Sequence, residues 1–239
     1  MSSSGKSTLL EQIKRTILEN NDIALLSFEF EMLIEDQLER TESSGYDINQ
    51  LEDKNYYYVD RFCTVEQMTT LIREFVYSNI DKQIIVTIDH TLLVKGKGEK
   101  ETIDNLMTGL VELKKEFNSL QLNVSFICLS QLNREIESDN RILNPLLHYP
   151  TKKDLFGSDV VFQCSDHVYV IHRPAIIAGI NAIGYYGKQK LPLKHEGRDV
   201  VYGHIIKNRF GETGMLTYLE DLKHGKLDAI NLQKRKEAA

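Results

Sequence analysis

The sequence predicts an α/β protein, a mostly parallel sheet with helices on both faces and a C-terminal β-hairpin. Three observations carry this reading. Two short runs, Ile84 to Ile88 and Val124 to Leu129, have the unbroken apolar character of strands buried on both faces. Other stretches, such as Glu101 to Phe117, place apolar residues at helical spacing. The two kinds alternate along the chain, which is the order that builds parallel sheets.

Taken in order, Ser7 to Glu19 carries Leu9, Leu10, Ile13, Ile17 and Leu18 at helical spacing and is a helix. Ile23 to Phe30 is a strand, and Glu31 to Leu38 a second helix. Tyr56 to Val59 is a strand with aromatic faces. Thr64 to Tyr77 is a helix with Thr64 as its N-cap and Glu66 in its first turn. Residues 135–157, with Pro145 and Pro150, read as irregular loops. Val168 to His172 and Val201 to Lys207 are strands. A turn at Gly211 to Gly214 between Ile205-Ile206 and Met215-Leu216 makes a hairpin. The polar stretch after Asp221 is expected to fray. The organisation is therefore one domain over residues 1–220 and a tail over 221–239.

Composition sets the bounds. The 239 residues are 41% hydrophobic and 27% charged, with a net charge of −6, which excludes a disordered chain and a generic polyanion binder but not a local basic channel. A chain this long buries roughly 70% of its unfolded surface and needs no disulfide or metal staple. Cys63, Cys128 and Cys164 are an odd count without CxxC spacing, so neither a disulfide framework nor a zinc knuckle is expected. No run approaches the ~18 apolar residues of a membrane span. The start, Met1-Ser2-Ser3-Ser4-Gly5-Lys6, has no secretory h-region. A reducing cytoplasm is the expected compartment. His167, His172, His195 and His204 show no ligand spacing, so metal binding by them is not expected.

Five stretches carry chemistry. Ser4-Gly5-Lys6-Ser7-Thr8 stands just before the first helix. In a phosphate-binding loop, backbone N–H groups and a helix N-terminus cradle phosphates, the lysine reaches the β- and γ-phosphates, and the following hydroxyl binds Mg²⁺. The first glycine of GxxxxGK[ST] would fall one residue before Met1, so the chain begins inside the motif, which is equally a Ser-rich helix start. Asp89, ending the apolar run from Ile84, stands where an acid at a strand's C-terminal edge holds the Mg²⁺ shell. The two signals occur in the required order. Glu31, in Phe28-Glu29-Phe30-Glu31-Met32, suits activation of a water, or a helix first turn. Gln131, in Leu129-Ser130-Gln131-Leu132-Asn133-Arg134, suits a γ-phosphate sensor, or a loop start. Lys207 and Arg209, at a strand end, suit cations reaching a neighbour's phosphates, or solvated surface charge.

Together these stretches resemble the ATPase domain of DnaB-type replicative helicases, the ring-forming RecA-like motors of superfamily 4. The resemblance runs over nearly all of residues 1–218 and is most specific in FEFEM (28–32), LSQLNREIE (129–137), Asp154-Leu155 and KNRFGETG (207–214). Asp166 and Arg173 also fall on family positions. The resemblance implies a RecA-like P-loop fold with ATP and Mg²⁺ as cofactors. Ser4, Gly5, Lys6, Ser7 and Thr8 would hold the nucleotide, and Ser7 and Asp89 the metal. Glu31 would be the catalytic base, and Gln131 the coupling residue. Arg209 would be a finger acting in trans, with Lys207 beside it. It implies single-stranded DNA, a hexameric ring, a primase and a helicase loader as partners, no membrane, and a bacterial or phage-infected cell.

The sequence departs from the family in two places. Where the family has Arg-Glu-Ser-Gly after Asp-Leu, this chain has Phe156-Gly157-Ser158-Asp159. DNA contacts are then expected from Lys152, Lys153, Phe156, Gly157 and Ser158, with Lys95, Lys97 and Lys100 as a second lysine group; a solvated loop is the alternative for both groups. The family's N-terminal domain, linker helix and the strand before the phosphate-binding loop are also missing. The chain is expected to be the C-terminal part of a longer protein. Two rival readings stay open: a recombinase- or clock-type RecA-like ATPase that does not unwind, and a non-catalytic nucleotide-binding module of a ring.

Overall fold

The computed structural model describes residues 5–43, 47, 55–221 and 224–232. The chain divides into two compact units, one of Leu10–Gln131 and one of Met1–Leu9 with Leu132–Ala239.

In the first unit, strands β1 (Ile23–Glu29), β2 (Tyr56–Val59), β3 (Gln83–Asp89) and β4 (Val124–Cys128) form a four-stranded sheet in the order β2-β1-β3-β4. Every pairing is parallel. The two-residue period of a strand decides what each face does. Even-numbered residues Ala24, Leu26, Phe28, Ile84, Val86 and Ile88 join the main core with Met68, Ile72 and Val76 of α3 (Val65–Tyr77) and Leu106, Leu110, Leu113 and Phe117 of α4 (Glu99–Ser119). Odd-numbered Leu25 and Ile85 meet Leu18 and Ile17 of α1 (Lys6–Leu18) on the other side. The sheet is thus covered on both faces, as expected of parallel strands. Thr64 caps α3 in a reciprocal capping box with Gln67, worth about 1 kcal/mol.

Several boundaries differ from the sequence reading. The second helix, α2, spans Ile34–Ser43, with Glu35 and Asp36 in its first turn rather than Glu31. Strand β4 is not buried on both faces: Ser125 is exposed and Phe126 to Cys128 are half-buried. Residues 135–157 are a string of short helical turns and one short helix, α5 (Asp139–Leu143), rather than irregular loop.

The second unit carries β5 (His167–His172), β6 (Lys194–His195), β7 (Arg198–Asn208), β8 (Gly214–Asp221) and β9 (Lys226–Ile230), all antiparallel. The expected β7–β8 hairpin is present, with Ile205 opposite Gly214, but it belongs to a five-stranded sheet. The stretch after Asp221, expected to fray, supplies β9, which pairs with β8. Two further helices, α6 (Ser158–Cys164) and α7 (Ala178–Ile183), lie before and after β5.

One face of this sheet buries a polar cluster. The Tyr186 hydroxyl lies 2.7 Å from His172 Nδ1, 3.0 Å from His204 Nε2 and 3.3 Å from the His148 carbonyl. His148 Nδ1 accepts from the Gly187 N–H at 3.0 Å, so its Nε2 carries the proton and donates to the Ile142 carbonyl at 2.9 Å. Gly187 has a positive φ of 70°. The Tyr149 ring stands 2.3 Å from where its Cβ would be, so no larger residue fits. Burial pushes His172 down to about 3, with the His204 charge next in effect, and burial pushes His204 down to about 4. Both are neutral in the folded protein, while in the unfolded chain they protonate near 6.5. Stability is therefore complete above pH 6.5 and falls as pH drops toward the folded values. Unfolding by urea is expected to show a loss of about 2 kcal/mol per histidine between about pH 7 and about pH 5, and a flat profile would overturn this reading.

Candidate functional site

The odd-numbered face of β1 and β3 changes character along its length. Leu25 pairs with Ile85, Ser27 with Thr87, and Glu29 with Asp89, all in register. The ladder runs from apolar through hydroxyl to carboxylate at the C-terminal edge of a parallel sheet, where α/β folds bind ligands. Ser27 Oγ and Thr87 Oγ1 are 2.6 Å apart, and Ser27 donates to Glu29 Oε1 at 2.5 Å. Glu29 and Asp89 are both buried.

A buried carboxylate needs a counter-charge. Lys14 of α1 supplies it to Glu29. Its ammonium donates to Glu29 Oε1 and to Glu11 Oε1, the latter at 2.9 Å, and the residue is 2% exposed. Burial opposes its charge, but the Tyr56 oxygen and the Glu11 and Glu29 carboxylates outweigh it and hold Lys14 above its ordinary value. Burial pushes Glu29 up, with Asp89 adding to it, while Lys14 and Ser27 pull it back down. Burial likewise lifts the Tyr56 phenol to about 12.

The sequence reading gives the role in Phe28 to Met32 to Glu31 and not to Glu29, and passes over Lys14, yet a signal is present. Lys14 stands four residues from both Leu10 and Leu18, on the buried stripe of α1. Glu31, by contrast, lies two residues past the end of β1 and is exposed. Gln131 is half-buried, with its Nε2 3.4 Å from Nε2 of His90, the residue after Asp89.

At the start of α1, Gly5 has a φ of +91°, a left-handed conformation that favours glycine, and its carbonyl accepts from the Leu9 N–H at 2.9 Å. Lys6, Ser7 and Thr8 form the first turn, which contains no acidic residue. A helix N-terminus without a carboxylate, but with a lysine, suits an anion. Ser4 lies outside the described residues.

The remaining candidates lie in the second unit. Lys152 and Lys153 are exposed on a single helical turn with Asp154, whose buried carboxylate is paired with Arg141 and accepts from the Thr151 N–H at 2.6 Å. Leu155 pairs with Leu132 in an isolated antiparallel bridge. Phe156 is half-buried, and Gly157, with φ +69°, leads into α6 at Ser158. Lys207 Nζ donates to the carbonyls of Phe162 and Gln163 at 2.5 and 3.2 Å. Arg209 pairs with Asp166 at 2.6 Å, and its backbone N–H donates to the Asp166 carbonyl at 2.9 Å. Phe210, next to it, is 77% exposed.

A family model, the DnaB-like helicase C terminal domain, matches residues 39–225, more than three quarters of the chain. The chain belongs to the DnaB-like helicase C-terminal domain family. The matched range includes Asp89, Gln131, Lys207 and Arg209 and begins after Gly5 to Thr8 and Glu31. Solved structures agree on the fold. One is an ATPase domain at TM-score 0.74 and 17% identity, covering 96% of this chain and 82% of that one. Another is a DnaB-like replicative helicase solved for its interactions with primase, at TM-score 0.73 and 17% identity; the chain spans 57% of its length. A third is a KaiC-like protein from the hyperthermophilic archaeon Pyrococcus horikoshii, at TM-score 0.64 and 14% identity, covering 96% and 86%. The fold is therefore RecA-like. No curated protein matches the sequence significantly. Among the described residues, no helix is long and apolar enough to cross a membrane.

The buried pair yields a stability prediction. Lys14→Met strands Glu29 as an uncompensated buried charge and is expected to cost about 3–5 kcal/mol in urea unfolding, while Lys14→Met with Glu29→Gln recovers most of the loss. Additive losses in the double variant would show that the two side chains do not act as a pair.

Proposed function

We propose that this chain is the motor domain of a replicative DNA helicase, which hydrolyses ATP at the interfaces of a ring, moves along single-stranded DNA and unwinds duplex. The observation that carries the reading is the family match over residues 39–225. The carboxylate at the C-terminal edge of β3 and the acid-free, lysine-bearing first turn of α1 support it.

In this reading Gly5, Lys6, Ser7 and Thr8 hold the phosphates by backbone N–H groups and the Lys6 charge, with Ser4 ahead of them. A Mg²⁺ ion, when bound, would supply positive charge to offset that of the phosphates. Ser7 and Asp89 are the residues that would hold it, and the chemistry of a buried strand-end carboxylate fits that group. Glu31 takes the proton from the attacking water; its exposed place beyond β1 leaves it open to solvent. Gln131 reads the γ-phosphate and passes its presence to the DNA-contacting segment. Lys207 and Arg209 act on the neighbouring subunit's nucleotide, where positive charge stabilises the phosphoryl transition state without a covalent intermediate.

Lys152, Lys153, Phe156, Gly157 and Ser158 contact the strand, the lysines through phosphates and Phe156 by stacking on a base. The ring is a homo-oligomer, expected to be a hexamer. A primase partner is supported by the primase interactions of a helicase that shares this fold, and a loader is expected with it. The setting is a bacterial or phage-infected cytoplasm.

Mg²⁺-dependent ATP turnover, with and without single-stranded DNA, tests the reading. Lys6→Ala is expected to abolish turnover. Arg209→Ala is expected to lower it by about 10³-fold or more while ATP binding persists. Normal turnover in Arg209→Ala would reject the trans role, and turnover without strand displacement would favour a RecA-like ATPase that does not unwind.

A further inference from the structure

The two candidate cations have something in common that their sequence positions do not show: both spend their side chains on one short segment. Lys207 bonds the carbonyls of Phe162 and Gln163, in the last turn of α6, and its ammonium sits over the Phe162 ring at 5.0 Å. A lysine on terminal helix carbonyls is favoured by their unpaired lone pairs and by the helix dipole. Arg209 bonds Asp166, two residues beyond α6, through both its guanidinium and its backbone N–H.

At its other end α6 continues directly from Phe156 and Gly157. Upstream of that point the chain is anchored. Asp154 is buried against Arg141 and Thr151, its carbonyl accepts from the Asn133 N–H at 2.7 Å, and Leu155 is bridged to Leu132. The joint between this anchored stretch and α6 is Gly157, in the left-handed region. A seven-residue helix is a rigid rod of about 10 Å. A displacement at Phe156 and Gly157 therefore reaches Phe162 as a movement of the whole rod, and Asp166 through Ser165, whose N–H and hydroxyl both donate to the Val161 carbonyl.

Resting on the functional reading above, we propose that α6 couples the DNA-contacting segment to the two strand-end cations, and that Asp166 is the positioning residue that parks Arg209 until that segment is engaged. The pairing suits a latch. The Arg209 side chain is 52% exposed and Asp166 20%, so the pair is solvent-screened and exchangeable for an incoming phosphate. Lys207, on the last carbonyls of α6, ties the strand end to the rod until the same segment is engaged.

Amide hydrogen exchange on the full chain tests this, with a short oligo(dT) as probe and fluorescence anisotropy at low salt to follow its binding. Binding is expected to speed exchange at Phe162 to Asp166 and Asn208 to Phe210 by roughly threefold or more. In Asp166→Asn the same amides are expected to exchange fast without the oligonucleotide and to gain nothing from it, while Asp166→Glu restores the response. If the oligonucleotide binds and these amides exchange at an unchanged or slower rate, the coupling is overturned and the functional reading stands. If it does not bind the wild-type chain, the DNA-contacting assignment falls, and the coupling with it. The wild-type comparison alone decides the question if Asp166→Asn fails to fold.

Discussion

The in-register parallel pairing of β1 with β3 is the constraint on which the rest of the Leu10–Gln131 unit depends. Seven consecutive residues of each strand face one another, from Ile23 opposite Gln83 to Glu29 opposite Asp89. A slip of one residue would exchange the faces. If β1 slipped, Phe28 would leave the main core and Glu29 would be driven among Met68, Ile72 and Phe117. The alternation that builds the core therefore also delivers two carboxylates to one place at the sheet's edge. That concentration of charge is tolerated because Lys14 of α1 pairs with Glu29. Fold and candidate chemistry share one set of backbone hydrogen bonds here.

The Leu132–Ala239 part of the chain solves a different problem, that of polar groups in an antiparallel sheet. Arg173 is held between Asp199 and Glu220 at 2.7 and 2.5 Å. Tyr169 and Tyr218 bond through their hydroxyls at 2.7 Å, and the Tyr169 ring occupies the space that a side chain at Gly203 would need. Such pairs specify register more sharply than apolar contact does, because a misaligned partner leaves a buried polar atom unpaired. The same logic gives the α6 region its definition, since α6 is seven residues long and its C-terminal end is held by Lys207, with Arg209 on Asp166 just beyond it.

What the sequence made legible was periodicity and local capping. β2 and the Thr64 cap of α3 lie at the expected residues because four aromatic or β-branched residues and a Thr-x-x-Gln pattern are local signals. β9 was missed because it is a short run, Lys226-Leu227-Asp228-Ala229-Ile230, within a charged stretch: Leu227 packs on Ile171 and Val201, and Arg198 reaches Asp228 from β7, so its stabilisation comes from partners far away in sequence. The turns within residues 135–157 were missed because they are too short to show a repeating apolar face, and two of them rest on single side-chain caps, Asn144 accepting from the Leu146 N–H and Asp154 from the Thr151 N–H. The His–Tyr cluster joins residues from 148 to 204 and has no sequence spacing to betray it. Of the candidate site, the motif residues were legible, but the Lys14–Glu29 pair was visible only as a lysine on an apolar stripe and an acid within a strand.

The bonded tyrosines have an optical consequence. The chain has 11 tyrosines and no tryptophan, so its near-ultraviolet spectrum is a record of phenol environments alone. Tyr169, Tyr186, Tyr202 and Tyr218 belong to the antiparallel sheet and its core, and Tyr56, Tyr57 and Tyr58 to the edge strand of the parallel one. Burial raises the phenols of Tyr56, Tyr169, Tyr186 and Tyr202 above the range in which an open tyrosine ionises. In mildly alkaline solution these four rings therefore join the tyrosinate band only once they have lost their folded surroundings. A single tryptophan placed at Phe162 or Phe210 would stand on a dark background, a ready-made lamp at either end of the contact between α6 and the β7–β8 turn.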